Sequence, residues 1–128
     1  TPSPKCWIYP NAHGSLNVSG AIAVSCNYFF YKMGYELGSS NGTYNSTRGL
    51  DKLKKYARLY GFDRKSGVEI TEYEPHISDE DAVRSAIGQG TNSFAPVQIA
   101  RYVTSLVNEE DLVSLSLLDK TTDAEEMY

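Results

Sequence analysis

Apolar residues recur at helical spacing through most of the chain, interrupted by short polar clusters. "SLNVSGAIAVS" predicts a small-residue helix with Ser15 and Asn17 as candidate caps, broken at Ser25-Cys26-Asn27. "YFFYKMGYEL" resumes as an aromatic-rich helix closed by Gly38, and "GSSNGTYNSTRG" is a turn-rich loop. "LDKLKKYARLYG" is amphipathic: Leu50, Leu53, Ala57 and Tyr60 share one face, and Gly61 can supply a left-handed terminus.

Further on, alternation around Val68 and Ile70 predicts a minor strand. "SDEDAVRSAIG" opens with Ser78 as cap and an acid three residues later, and stops at Gly88. "APVQIARYVTSLVN" has the strongest helical pattern, with Pro96 in its first turn and Val97, Ala100, Val103, Leu106 and Val107 as its buried stripe. "LVSLSLL" alternates with a period of two and predicts a strand, although no partner strand is evident. The whole is mainly α with at most short strands, one unit over 1–128. Its helical core spans about 15–108, followed by a strand-like and then frayed tail over 109–128.

Composition narrows the function classes. With 41% hydrophobic and 22% charged residues, 128 residues suffice for one ordered core. A net charge of −4 argues against nucleic acid or anionic lipid as partner, and the basic stretch "DKLKKYAR" is a solvated helix face. No apolar run approaches the roughly 20 residues of a membrane span, and no signal-peptide pattern is present.

Cys6 and Cys26 are compatible with one disulfide or none, and their spacing fits no metal motif. His13 and His76 have no partners at ligand spacing, so neither metal nor cofactor is expected. Asn17-Val-Ser, Asn41-Gly-Thr and Asn45-Ser-Thr match the glycosylation sequon, at a frequency chance explains in so Ser/Thr-rich a chain. Trp7 and the ten tyrosines are not grouped as a ligand cage and belong to core and rim.

Candidate chemistry lies at Ser25 and Asn27. Neither is a general base by itself near neutral pH. A serine beside a lysine can hold or pass a proton, and an asparagine can hold that lysine or donate its amide to a substrate carbonyl. From these residues alone, a simple junction between two helices explains them as well.

The order of segments adds to this. "CW", "AHGSLNVSGAIAVSCNYFFYKMGYELG", "GLDKLKKYARLYGFDRKSGVEI", "AIGQG" and "APVQIARYVTSLVN" together resemble the transpeptidase domain of penicillin-binding proteins, particularly class B, from about Cys6 to Asn108. The resemblance implies the helical subdomain of that α+β fold, with Ser25 and Asn27 as the serine-x-asparagine motif and Cys26 at its variable position. Ser25 would relay a proton toward the leaving group, and Asn27 would hold the nucleophile's lysine and the substrate amide. Gln89, between Gly88 and Gly90, would lie near the cleft. The implied parent cross-links peptidoglycan stem peptides, is inhibited by β-lactams, and is anchored in the bacterial inner membrane facing outward.

Two family motifs are missing. No serine has lysine three positions later, so the nucleophile motif is absent. Lys65-Ser66-Gly67 comes too soon after Ser25 to be the lysine-threonine-glycine motif, and Lys120-Thr121-Thr122 lacks its glycine. The chain by itself should therefore form no acyl-enzyme, and a helical piece cut from its sheet should self-associate through exposed apolar surface. A non-catalytic helical binding module on the same scaffold, or a fragment of a β-lactam sensor or β-lactamase relative, are the alternatives.

Overall fold

The computed structural model describes residues 3–109 and 111–119. It contains α1 (Val18–Ala23), α2 (Asn27–Gly38), β1 (Ser39–Ser40), β2 (Thr43–Tyr44), α3 (Ser46–Leu59), α4 (Ala82–Ser85) and α5 (Pro96–Asn108). The expected mainly helical architecture is thus observed, with a single two-stranded hairpin among the described residues.

Helices α2, α3 and α4 pack on one another around small side chains. Ala82 at the start of α4 is fully buried, and Gly34 of α2 and Gly49 of α3 face it. A Cβ at Gly49 would stand 2.7 Å from the Ala82 Cβ, closer than two carbons can approach. The hydroxyl of Ser46, at the start of α3, accepts the Ala82 N–H at 2.9 Å and satisfies a donor that α4 leaves free.

Local signals set several boundaries. Asn17 accepts the Gly20 N–H at 2.8 Å and caps α1. Asn45 accepts the Arg48 N–H at 3.1 Å, so α3 begins at Ser46, four residues before its apolar face does. Leu50 is buried, and Gly61 turns the chain out of α3 at φ +72°. Arg48 and Lys52 donate to the Gly38 and Leu37 carbonyls at 2.9 and 2.8 Å, completing the exposed end of α2.

Other expectations are corrected. "GSSNGTYNSTRG" contains a hairpin, with Ser39 paired to Tyr44 and Ser40 to Thr43. Asn41 and Gly42, at φ +48° and +76°, form the two-residue turn that Asn-Gly favours. Ser78 does not cap α4. Asp81 does, accepting the Val83 and Arg84 N–H groups at 3.1 and 3.2 Å, while Ser78 is buried as a loop staple. No strand forms around Val68 and Ile70 or over Leu112–Leu118. Glu69 instead ties down the later segment, accepting the Leu117 N–H at 2.8 Å and the Ser116 hydroxyl.

The predicted buried stripe of α5 is largely exposed. Val103, Leu106 and Val107 face outward, and the buried side chains are Gln98, Arg101 and Ser105. Gln98 accepts the Ala95 N–H at 2.9 Å and donates to the Arg64 carbonyl at 2.8 Å. Arg101 donates to the Ser66 and Gly61 carbonyls at 3.1 and 3.4 Å. Backbone carbonyls of the loop after α3 demand donors, so polar side chains won the inner face. Tyr102 completes that contact against Tyr60 and Phe62. Residues 120–128, the frayed part of the expected tail, lie outside the described residues.

Candidate functional site

Ser25, Cys26 and Asn27 form a two-helix junction with no slack. The Ser25 N–H donates to the Ile22 carbonyl at 3.1 Å and the Cys26 N–H to the Ala21 carbonyl at 2.9 Å, the paired bonds that end a helix at a left-handed residue. Ser25 is that residue, at φ +51°, where glycine is usual. Cys26 is buried as the cap of α2, and Asn27 is its first helical residue. The indole N–H of Trp7 donates to the Ser25 carbonyl at 3.0 Å, fixing the turn from the other side.

Asn27 and Gln89 share one cleft. Both line a polar cleft of about 650 Å³, together with Tyr31, Glu80, Arg84 and Thr91. Ser25 is exposed at the junction and is not among the residues lining that cleft. The Gln89 loop is held rigidly. Ser78 accepts the Thr91 N–H at 3.2 Å and the Ser85 hydroxyl at 2.7 Å, and Asn92 accepts the Ser78 N–H at 2.8 Å. His76 and Ser93 exchange backbone bonds at 2.8 Å and close the base of the loop. Gly90 is required here: at φ +86°, its Cβ would fall 2.5 Å from the Ser78 hydroxyl oxygen.

Lys65-Ser66-Gly67 lies in irregular chain, with Ser66 buried. Glu72 accepts the Ser66 and Gly67 N–H groups at 3.2 and 3.0 Å, so this stretch presents no strand edge to a substrate. Lys120-Thr121-Thr122 falls outside the described residues.

The separation of His13 from other ligand-type side chains does not hold in three dimensions. Cys6, a ring nitrogen of His13 and Cys26 lie within 4.8 Å of one another, with the Cys6 sulfur 3.8 Å from His13 Nδ1. A turn over Cys6–Asn11 folds His13 back, and α1 returns the chain to Cys26. Spacings of this length match no compact ligand motif, and the turn geometry that closes them has no strong sequence signal. Partial burial pushes the Cys6 thiol up. The N–H groups of Tyr28, Ile8 and Asn27 and the Cys26 thiol together outweigh it and hold Cys6 below the usual thiol range.

The family model for the penicillin binding protein transpeptidase domain matches residues 3–127. The peptidoglycan D,D-transpeptidase MrdA of Haemophilus influenzae is 26% identical over 131 aligned positions, covering 82% of this chain and 18% of that protein. The Escherichia coli K12 protein of that name is 22% identical, covering 76% of this chain and 16% of its own length, and the Acinetobacter baumannii one is 23% identical, covering 88% and 17%. The chain thus spans less than a fifth of the length of these curated relatives. With the model matched across nearly all its residues, the chain belongs to the penicillin-binding protein transpeptidase domain family.

Proposed function

We propose that the chain is the helical middle of a peptidoglycan D,D-transpeptidase, in which Ser25 and Asn27 are the serine-x-asparagine motif. The reaction is acyl transfer. A serine hydroxyl from outside this chain attacks the carbonyl between the two terminal D-alanines of a stem peptide. The C–N bond breaks, and D-alanine leaves with a proton on its amine. The amine of a second stem peptide then attacks the ester and releases the serine. Ser25 relays the proton to the leaving amine, and Asn27 holds the nucleophile's lysine and the substrate amide.

The observation that carries this reading is the rigid junction that presents Asn27 to a cleft shared with Gln89, in a chain of this family. The curated relatives bear the transpeptidase name. A β-lactam occupies the same site as a mimic of the D-alanyl substrate, and the enzyme works outside the inner membrane in cell elongation. No helix among the described residues is long and apolar enough to cross a membrane, so the anchor is assigned to the longer protein.

The gene on either side should encode serine-x-x-lysine upstream and lysine-threonine-glycine downstream. In that longer protein, Ser25→Ala and Asn27→Ala are expected to slow acylation by a fluorescent penicillin by about 10²–10⁴-fold. Unchanged acylation in both variants would overturn the assignment. Stop and start codons bracketing the chain would leave the non-catalytic binding module in its place.

A further inference from the structure

The polar cleft of Asn27 and Gln89 carries two charged groups that the acyl-transfer steps leave unused, the Glu80 carboxylate and the Arg84 guanidinium. We propose that these two residues read the stem-peptide residue preceding the two D-alanines, and select a side chain that bears both an ammonium and a carboxylate. This rests on the reading of Asn27 given above. A donor stem peptide has two amides close to the reaction. The scissile one is consumed, so the amide that Asn27 holds is the one before it. A cleft lined by Asn27 therefore receives what lies beyond that amide, the side chain of the preceding residue.

Three observations favour a doubly charged occupant. The first is that main-chain bonds anchor the cleft and leave its side chains free. The Glu80 carbonyl accepts the Ser78 and Ser85 hydroxyls at 3.0 and 2.9 Å, and its carboxylate makes no ion pair among the described residues. The Gln89 carbonyl accepts the Asn92 amide at 2.9 Å, which leaves the Gln89 side chain for a ligand. The second concerns Arg84, whose Nε stands 3.6 Å from Asp81 Oδ2, too far for a hydrogen bond. Both Nη groups remain available, and together they can grip one carboxylate in parallel. The third is rigidity. Asp81, at φ +51°, caps α4 between the two charged residues, and Asn27 and Tyr31 stand one turn apart on α2 at the same cleft.

A ligand with both charges answers both residues. A singly charged side chain answers one and is repelled by the other, and an apolar one answers neither. Neither Glu80 nor Arg84 moves a proton in this role. They decide which peptide is held in place while its carbonyl is attacked.

The test uses the longer protein with its nucleophile, and acylated peptides ending in X-D-alanyl-D-alanine in which X alone varies. In the first peptide the X side chain ends in a carbon bearing an ammonium and a carboxylate. The second carries a carboxamide in place of that carboxylate, and the third lacks the ammonium. Release of D-alanine gives kcat/KM for each. The unsubstituted protein should favour the first peptide over either of the others by about tenfold, the value of one charge-assisted contact at an exposed site. Arg84→Gln should erase the preference over the second peptide, and Glu80→Gln the preference over the third. Each preference is a ratio within one variant, so a general loss of activity or of fold cannot imitate its selective loss. Equal rates for all three peptides, preferences that survive both substitutions, or a substitution that lowers all three rates alike would overturn the proposal. The underlying reading fails separately: a longer protein that a fluorescent penicillin does not acylate refutes that reading, and this proposal with it. One that is acylated, yet treats the three peptides alike, refutes this proposal only.

Discussion

Gly34 of α2 lies so close to Ala82 of α4 that a Cβ there would stand 2.7 Å from the Ala82 carbonyl oxygen and 2.8 Å from the Ala86 Cβ. Alanine in mid-helix normally stabilises by about 0.5–1 kcal/mol relative to glycine. Here the clash is with backbone, which cannot yield as a flexible side chain would. Gly34→Ala should therefore destabilise the fold, by about 1–3 kcal/mol in urea or thermal unfolding. A gain in stability would mean that the three helices are not packed this tightly.

Gly90→Ala should be damaging for two separable reasons, the left-handed backbone and the contact with the Ser78 hydroxyl. Ser78→Ala removes the 2.5 Å contact, together with the hydrogen bonds its oxygen accepts from Thr91 and Ser85. A double-mutant cycle should thus show partial rescue, with a coupling of about 0.5–3 kcal/mol. Strict additivity would disprove the steric link between these two loops.

Arg101 is buried beneath α5, with two N–H groups on loop carbonyls. Arg101→Met keeps most of the apolar stem and leaves those carbonyls unpaired. A loss of about 1–3 kcal/mol is expected. Proteolysis within 61–66 should accelerate, because that loop loses its tether. Unchanged stability and cleavage would show that water replaces the guanidinium without penalty.

Acid should loosen the loops before the helices. The Ser116 hydroxyl and the Leu117 N–H hold the Glu69 carboxyl below its usual range, Ser66 and the Gly67 N–H do so for Glu72, and Thr91 and His76 for Asp79. Carboxylates depressed in the folded state contribute stability above their unfolded pKa and lose it as pH falls through the folded value. Amide exchange at Gly67, Leu117 and Thr91 should rise below the ordinary carboxylate range while the α2–α3 amides stay protected. Simultaneous loss of both sets would refute the ordering.

Val103, Leu106 and Val107 leave an apolar strip along the outer side of α5. The 128-residue chain should therefore sediment with a concentration-dependent mass, and Val103→Lys with Val107→Glu should return it toward monomer. A clean wild-type monomer over a wide concentration range would contradict this.

The same strip shows where sequence periodicity stops being informative. It identified α5 and its Pro96 start, yet put the valines inside, because an apolar stripe in a piece of a larger domain can face a surface the piece does not contain. The Asn17 cap, the Leu50 face and the Gly61 turn are local signals, and they hold wherever the rest of the protein lies. The Leu112–Leu118 pattern needs a neighbouring strand to become one, and none pairs with it among the described residues. Asn27 and Gln89 were singled out separately by motif, and only the folded loop from His76 to Ser93 brings them to one cleft. The Cys6, His13 and Cys26 grouping depends on a turn and a short helix closing a ring, which no spacing rule anticipates.

The left-handed backbone at Ser25 sets stability against chemistry at a single position. Glycine would relax the turn and retain both backbone bonds that end α1, so Ser25→Gly should raise the melting temperature. It would also delete the only hydroxyl at the junction. With Ser25 as the proposed proton relay, a search for more heat-resistant variants of this domain would converge on the very substitution that disarms it.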